Sequence, residues 1–162
     1  MKKGRSHHTD GGVPLRPDKR LLDLTVILLA LPIALPFLGM IALITWAIQG
    51  SPVLFRQQRP GLRGKPFTIY KFRTMRALPP DATASAKSDG DRLTRFGRFL
   101  RSTSLDELPE LINVIKGDMS LVGPRPEVPR YVAFYPPELR DRVLALRPGI
   151  TDPVSLAHVD EA

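Results

Sequence analysis

Leu21–Ile48 reads LLDLTVILLALPIALPFLGMIALITWAI, and within it only Asp23 carries a charge. As a helix rising roughly 1.5 Å per residue it would be about 42 Å long, more than a bilayer's hydrocarbon core of about 30 Å requires. A signal peptide has a shorter apolar run that closes on small residues, whereas this one continues into GSPVLFRQQRPG. The stretch is a membrane segment by composition and length. Pro32 and Pro36 lie near its middle, where each removes a backbone donor and crowds the preceding turn.

Both flanks of the segment are basic. Lys2, Lys3, Arg5, Arg16, Lys19 and Arg20 precede it, and Arg56, Arg59, Arg63, Lys65, Lys71, Arg73 and Arg76 follow. Positive charge favours the cytoplasmic side, so both flanks belong on one face of the membrane. A helix broken at Pro32 and Pro36 that enters and leaves by the same face meets that demand; a single-pass anchor is the alternative.

The whole chain has 162 residues, a formal net charge of +8, 43% hydrophobic residues and no cysteine. Disulfides and thiolate metal sites are excluded, and the charge points to polyanionic partners: nucleic acid, anionic lipid or a phosphate-bearing substrate. Residues 1–15 read as a polar tail in which His7 and His8 are solvated rather than metal-bound.

Beyond the apolar run, Val53–Gln58 and Phe67–Thr74 read as two short strands around the turn-rich RPGLRG. Period two puts Phe67, Ile69, Lys71 and Arg73 on one face, so a phosphate could sit between Lys71 and Arg73. A solvated basic strand edge is the reading that spacing alone favours. Residues 77–91 form a Pro/Ala/Ser-rich loop placed to act as a lid. Leu93, Phe96, Phe99 and Leu100 share a helical face flanked by Arg92, Arg95, Arg98 and Arg101, which suits a membrane surface better than nucleic acid.

Ser104 and Glu107 have capping-box spacing, and a helical stripe runs on to Gly117, with Pro109 allowing a later start near Leu108. Further helices are expected at about 127–135, with Tyr131, Phe134 and Tyr135 as interfacial aromatics, and at about 137–146. Walker, GxGxxG, HExxH and GxSxG motifs are absent. What remains is the carboxylate pair Asp106-Glu107 in a basic protein, followed by GDMSLVGPRP. One carboxylate could attack phosphorus while the other helps hold a divalent cation. Acidic residues in a first turn also simply favour the helix dipole, and spacing alone supports that reading. Arg125 stands between two prolines, which present it rigidly or merely brace a loop.

Taken together, KRLLD (19–23), SPVLFRQ (51–57), KPFTIYKFRTM (65–75), LTRFGRFLR (93–101), SLDELP (104–109) and NVIKGDMSLVGPRP (113–126) resemble the bacterial sugar transferase family, the monotopic phosphoglycosyl transferases. The resemblance runs from about Lys19 to Thr151. It implies an enzyme that moves a sugar 1-phosphate from a UDP-sugar to membrane polyprenyl phosphate and releases UMP. It further implies that Asp106 forms a covalent phosphosugar intermediate, that Glu107 is associated with Mg²⁺, and that Lys71, Arg101 and Arg125 contact phosphates or nucleotide; Asp106 is expected to share the metal, and Arg73, on the strand face of Lys71, to share in substrate binding. Cations beside a phosphoryl group and a tethered nucleophile are the physical counterparts of that scheme.

Two positions depart from the family pattern. Its re-entrant helix usually breaks at Ser-Pro, where this chain has Leu35-Pro36, with Pro32 in addition. After RPGIT (147–151) the chain continues as DPVSLAHVDEA and reads as cut short of the usual C-terminus, which would remove nucleotide contacts and leave a fold without activity as one reading.

The expected fold is α-rich α+β. A polar tail (1–18) leads into a re-entrant membrane helix hairpin (19–50) and a small catalytic domain (51–162) with a short β-hairpin and amphipathic interfacial helices. The expected partners are UDP-sugar, polyprenyl phosphate and membrane lipid, not nucleic acid, with room for a homodimer. The expected location is the bacterial inner membrane with the domain on the cytoplasmic face. The rival reading is a membrane-anchored basic module that binds anionic lipid or nucleic acid without catalysis.

Overall fold

The computed structural model describes residues 17–77 and 90–152. The polar tail, most of the 77–91 loop and the segment after Asp152 lie outside the described residues.

Helix α1 (Pro17–Gln49) takes up the whole apolar run as 33 residues of continuous helix through Pro32 and Pro36. Its mean hydropathy reaches 2.6, yet only 11% of that window is buried, so it is not the core helix of a water-soluble fold. Leu29, Ile33 and Leu43 are among its exposed apolar side chains. The buried positions Asp23, Ile27, Ile41 and Thr45, with half-buried Leu31, Ala34 and Leu38 between them, form one stripe at helical spacing. At about 100° per residue, Pro32 and Pro36 fall on the opposite, exposed face.

Strands β1 (Leu54–Pro60) and β2 (Pro66–Phe72) form the expected antiparallel hairpin, in register from Leu54↔Phe72 to Pro60↔Pro66. The turn between them needs left-handed backbone at Arg63 and Gly64. Helix α2 (Arg95–Ser102) starts on Thr94, whose hydroxyl accepts from Gly97 N–H at 2.8 Å. A 3-10 turn over Leu105–Glu110 then feeds helix α3 (Leu111–Lys116), which ends on Gly117 at φ 90°.

The capping box at Ser104 and Glu107 does not form. Ser104 is left-handed with no side-chain bond to the helix, and the Glu107 carboxylate is spent on cations instead. Pro109, which lacks an N–H, sits inside the 3-10 turn and delays the α-helix to Leu111. Beyond it, β3 (Ser120–Val122) pairs in parallel with β4 (Gly149–Thr151), a small sheet absent from the sequence reading. The two helices between them are shorter than their periodicity suggests: α4 covers only Pro129–Val132 and α5 covers Pro137–Leu144.

Two hydrophobic clusters join α1 to this body. Ile27 packs with Phe67, Ile69, Val114 and Met119, while Ile41 packs with Phe72 and Leu100. Polar bonds reinforce both ends of α1. Asp23 accepts from Ser120 Oγ at 2.7 Å and from Leu121 N–H at 3.3 Å. Lys19 donates to the carbonyl of Val122, and Arg20 donates to the carbonyls of Val114 and Ile115, satisfying the open C-terminus of α3. At the other end Arg73 donates to the carbonyls of Gln49, Gly50 and Ser51. Thus both arms of α1 are fixed to one body, and Pro32 and Pro36 stand exposed on the face turned away from it.

Candidate active site

β2 carries Lys71 toward the 3-10 turn because Phe67 and Ile69, on the same face, are buried beneath α1 and α3. Asn113, fully buried on α3, locks that approach. Its amide donates to the carbonyl of Thr68 at 2.7 Å, and its oxygen accepts from Tyr70 N–H at 3.2 Å. The side chain thereby takes the place of a neighbouring strand for β2.

Lys71 Nζ lies 2.6 Å from Glu107 Oε1, and Arg125 donates to the same oxygen at 2.5 Å. Lys71 also reaches Glu110 Oε1 at 3.2 Å. Asp106 is half-buried next to this cluster. Together Asp106, Glu107, Lys71, Arg101 and Arg125 border a cavity of about 730 Å³, with Gln57, Arg59, Thr74 and Arg92 completing much of its wall. The cations outnumber the two carboxylates, so the cavity is suited to a multiply charged anion. A second cavity, of about 360 Å³, is bordered by Arg63, Lys65, Asp118 and Arg147 and so offers one carboxylate rather than a pair.

Electrostatics separate the carboxylates. Burial pushes Asp106 up from its ordinary value, although Lys71 pulls in the other direction. Burial also acts on Glu107, but there the hydrogen bond and charge of Lys71, and then Arg125, prevail and hold it below the usual range. Glu110 is pushed up to about 7 by burial. Arg59 is lowered by burial, and Arg125 is raised because Glu107 outweighs the cost of its own burial. Asp106 and Glu107 are therefore adjacent in sequence but unlike in environment.

Of the site residues expected from the sequence, Lys71, Glu107 and Arg125 meet at one oxygen, with Asp106 beside them. Arg101 is tied to the site through Thr74, whose hydroxyl accepts from its Nε at 3.0 Å. Arg73 also borders the cavity, while its guanidinium donates to the carbonyls at the end of α1. Asp23, Arg59, Glu110 and Asn113 are not among the site residues that the sequence predicts. Arg59 spans from Gln57 Oε1, at 2.7 Å, to the carbonyl of Pro126, at 2.9 Å, and so steadies the loop that presents Arg125.

Among the described residues no group of three or more His, Cys, Asp or Glu side chains could hold a metal ion. Asp106 and Glu107 border the same cavity, and two carboxylates are a donor set of the size Mg²⁺ commonly uses beside water and substrate phosphate.

A helix of membrane-type length and composition, packed on a body that carries a cation-lined cavity with two carboxylates, defines the architecture. The chain belongs to the bacterial sugar transferase family, whose model matches residues 16–161. Among its relatives, the uncharacterized sugar transferase EpsL of Bacillus subtilis (strain 168) is 50% identical over 134 residues, covering 82% of this chain and 65% of that protein. The UDP-glucose:undecaprenyl-phosphate glucose-1-phosphate transferase of Caulobacter vibrioides is 46% identical over 138 residues, covering 82% of this chain and 51% of that protein. A UDP-N-acetylgalactosamine-undecaprenyl-phosphate N-acetylgalactosaminephosphotransferase of Aeromonas hydrophila is 37% identical over 143 residues, or 86% of this chain and 34% of that protein. The chain thus spans only part of these relatives' length.

Proposed function

We propose that this chain transfers a sugar 1-phosphate from a UDP-sugar to membrane polyprenyl phosphate. The observation that carries the reading is the meeting of Asp106 and Glu107 with Lys71 and Arg125 in a cationic cavity on a body fixed to a membrane helix. The names of the relatives agree in reaction class and in both substrate types.

In this scheme an Asp106 carboxylate oxygen attacks the phosphorus bonded to the sugar. An O–P bond forms, the diphosphate P–O bond breaks, and UMP departs with the bridging oxygen and the bond's electron pair. An oxygen of polyprenyl phosphate then attacks the same phosphorus. The acyl phosphate bond breaks, the Asp106 carboxylate is restored, and a polyprenyl diphosphate sugar leaves. Burial suits Asp106 to this task because a poorly solvated carboxylate is a stronger nucleophile once ionised. Lys71 and Arg125 offset the charge on the reacting phosphoryl group, and Arg101 binds at the cavity rim. Mg²⁺, held by Glu107 with Asp106, would neutralise diphosphate charge.

The same reading places α1 in the membrane as a re-entrant helix. Pro32 and Pro36 loosen the wall facing away from the body, which favours bending toward it, and both arms are held by that body. The basic flanks put the domain on the cytoplasmic face. Exposed Phe99, Tyr131 and Phe134 then lie at headgroup level, where the acceptor phosphate resides.

The test is UMP release by the full chain in lipid nanodiscs across a panel of UDP-sugars, with Mg²⁺ and polyprenyl phosphate. One UDP-sugar should support turnover, and Asp106→Asn should reduce it by about a thousandfold or more. Equal turnover by the variant would remove Asp106 from the reaction.

A further inference from the structure

Glu110 is almost fully buried, at 2% exposure, and the scheme above gives it no task. We propose that Glu110 is a positioning residue, the inner anchor that keeps Lys71 at the cavity when Glu107 turns to other partners. The inference rests on the transferase reading.

Its basis is the order of the contacts. In a 3-10 turn, residues three apart eclipse one another, so Glu107 and Glu110 stand on the same side and both meet Lys71. Glu107 is the outer of the two. Its Oε1 already accepts from two cations, and it borders the large cavity. A diphosphate entering that cavity would compete with Glu107 for Lys71 and Arg125, and cation binding by Glu107 would weaken the same pairs.

Lysine is a point charge on a flexible four-carbon stem, so an ammonium released by one acceptor swings away unless a second retains it. Glu110 is that second acceptor: it does not border the large cavity, and it lines a small inner space with Arg59, Ile69, Arg125 and Pro126. A buried carboxyl serving only to fill space would be a costly choice, since an apolar side chain fills the same volume without desolvation.

The experiment compares Glu110→Leu, Glu110→Gln and Glu110→Asp in the full chain in nanodiscs. It reads UMP-release kinetics, thermal melting, and the rate at which an amine-acylating reagent modifies Lys71, followed by peptide mass spectrometry. Glu110→Leu should lower kcat/KM about tenfold, through KM as well as kcat, and should speed Lys71 acylation. Glu110→Gln keeps an acceptor oxygen and should recover most of both losses. Should Glu110→Leu not fold, Glu110→Asp takes its place, because it withdraws the carboxyl by one methylene and should show the same kinetic loss. Wild-type kcat/KM and acylation in the Leu or Asp variant would overturn the proposal, as would a Gln variant as impaired as Leu. If the parent chain released no UMP from any UDP-sugar, the transferase reading would fail separately, and the acylation rates would still decide whether Glu110 holds Lys71.

Discussion

Asp23, the one charge within the apolar run, accepts a 2.7 Å hydrogen bond from the buried hydroxyl of Ser120. The bond joins the membrane helix to the sheet that follows α3. In the sequence Asp23 looks like a flaw in a membrane segment, but in the fold it is the point where that segment is fastened. Asp23→Ala would leave Ser120 Oγ and the Leu121 N–H unpaired and should cost about 1–3 kcal/mol. Thermal melting in nanodiscs should show the loss, with Asp23→Asn intermediate because it keeps an acceptor.

Gly97 lets α2 lie directly on the segment leading out of β2. A Cβ there would stand 2.0 Å from the carbonyl oxygen of Thr74, and neither backbone can yield easily. Gly97→Ala should therefore destabilise the protein by about 1–3 kcal/mol. Because Thr74 also receives Arg101, activity in any folded fraction should fall more than in a surface control such as Arg98→Ala.

Arg73 and Lys71 leave the hairpin two residues apart but do different work. Arg73→Ala removes the donor that gathers the carbonyls of Gln49, Gly50 and Ser51, so its main effect should be a lower melting temperature. Lys71→Met removes a cation from the cavity, so its main effect should be on kcat/KM. A melting scan and a steady-state series on the two variants will separate these roles.

Glu110 also gives stability a pH dependence. Its folded value of about 7 lies above the usual 4.5, so over that interval the folded state holds a proton that the unfolded chain has released. Its contribution is complete below about 4.5 and is lost as pH rises through about 7. Glu107, held low by Lys71 and Arg125, acts oppositely: its contribution is present above the usual value and is lost as pH falls through its depressed one. The melting temperature of the parent minus that of Glu110→Gln should therefore decline between pH 5 and pH 8. A difference that rises over this range would contradict the burial of Glu110.

Much of this architecture is legible in the sequence because it follows from local pattern. The length of the apolar run gives α1, period two gives the hairpin, and RPGLRG gives its turn. Long-range pairing leaves no such trace. The parallel pairing of β3 with β4, the docking of Asn113 on β2 and the fastening of Asp23 each join residues far apart in the chain. Ser104-x-x-Glu107 misleads because capping spacing is indifferent to partners elsewhere, and Lys71 and Arg125 claim the glutamate first. Glu110 is hidden for a related reason. Its burial depends on β2 and the Pro124–Pro126 loop, neither of which is near it in sequence.

The central claim is that Asp106 becomes covalently attached to the sugar phosphate, and intact-mass spectrometry tests it most directly. The full chain, given its UDP-sugar and Mg²⁺ but no lipid acceptor, should gain the mass of one sugar phosphate as UMP appears. Peptide mapping should place the adduct on Asp106, and adding polyprenyl phosphate should remove it. UMP release that needs the lipid acceptor and leaves no adduct on Asp106 would contradict the account.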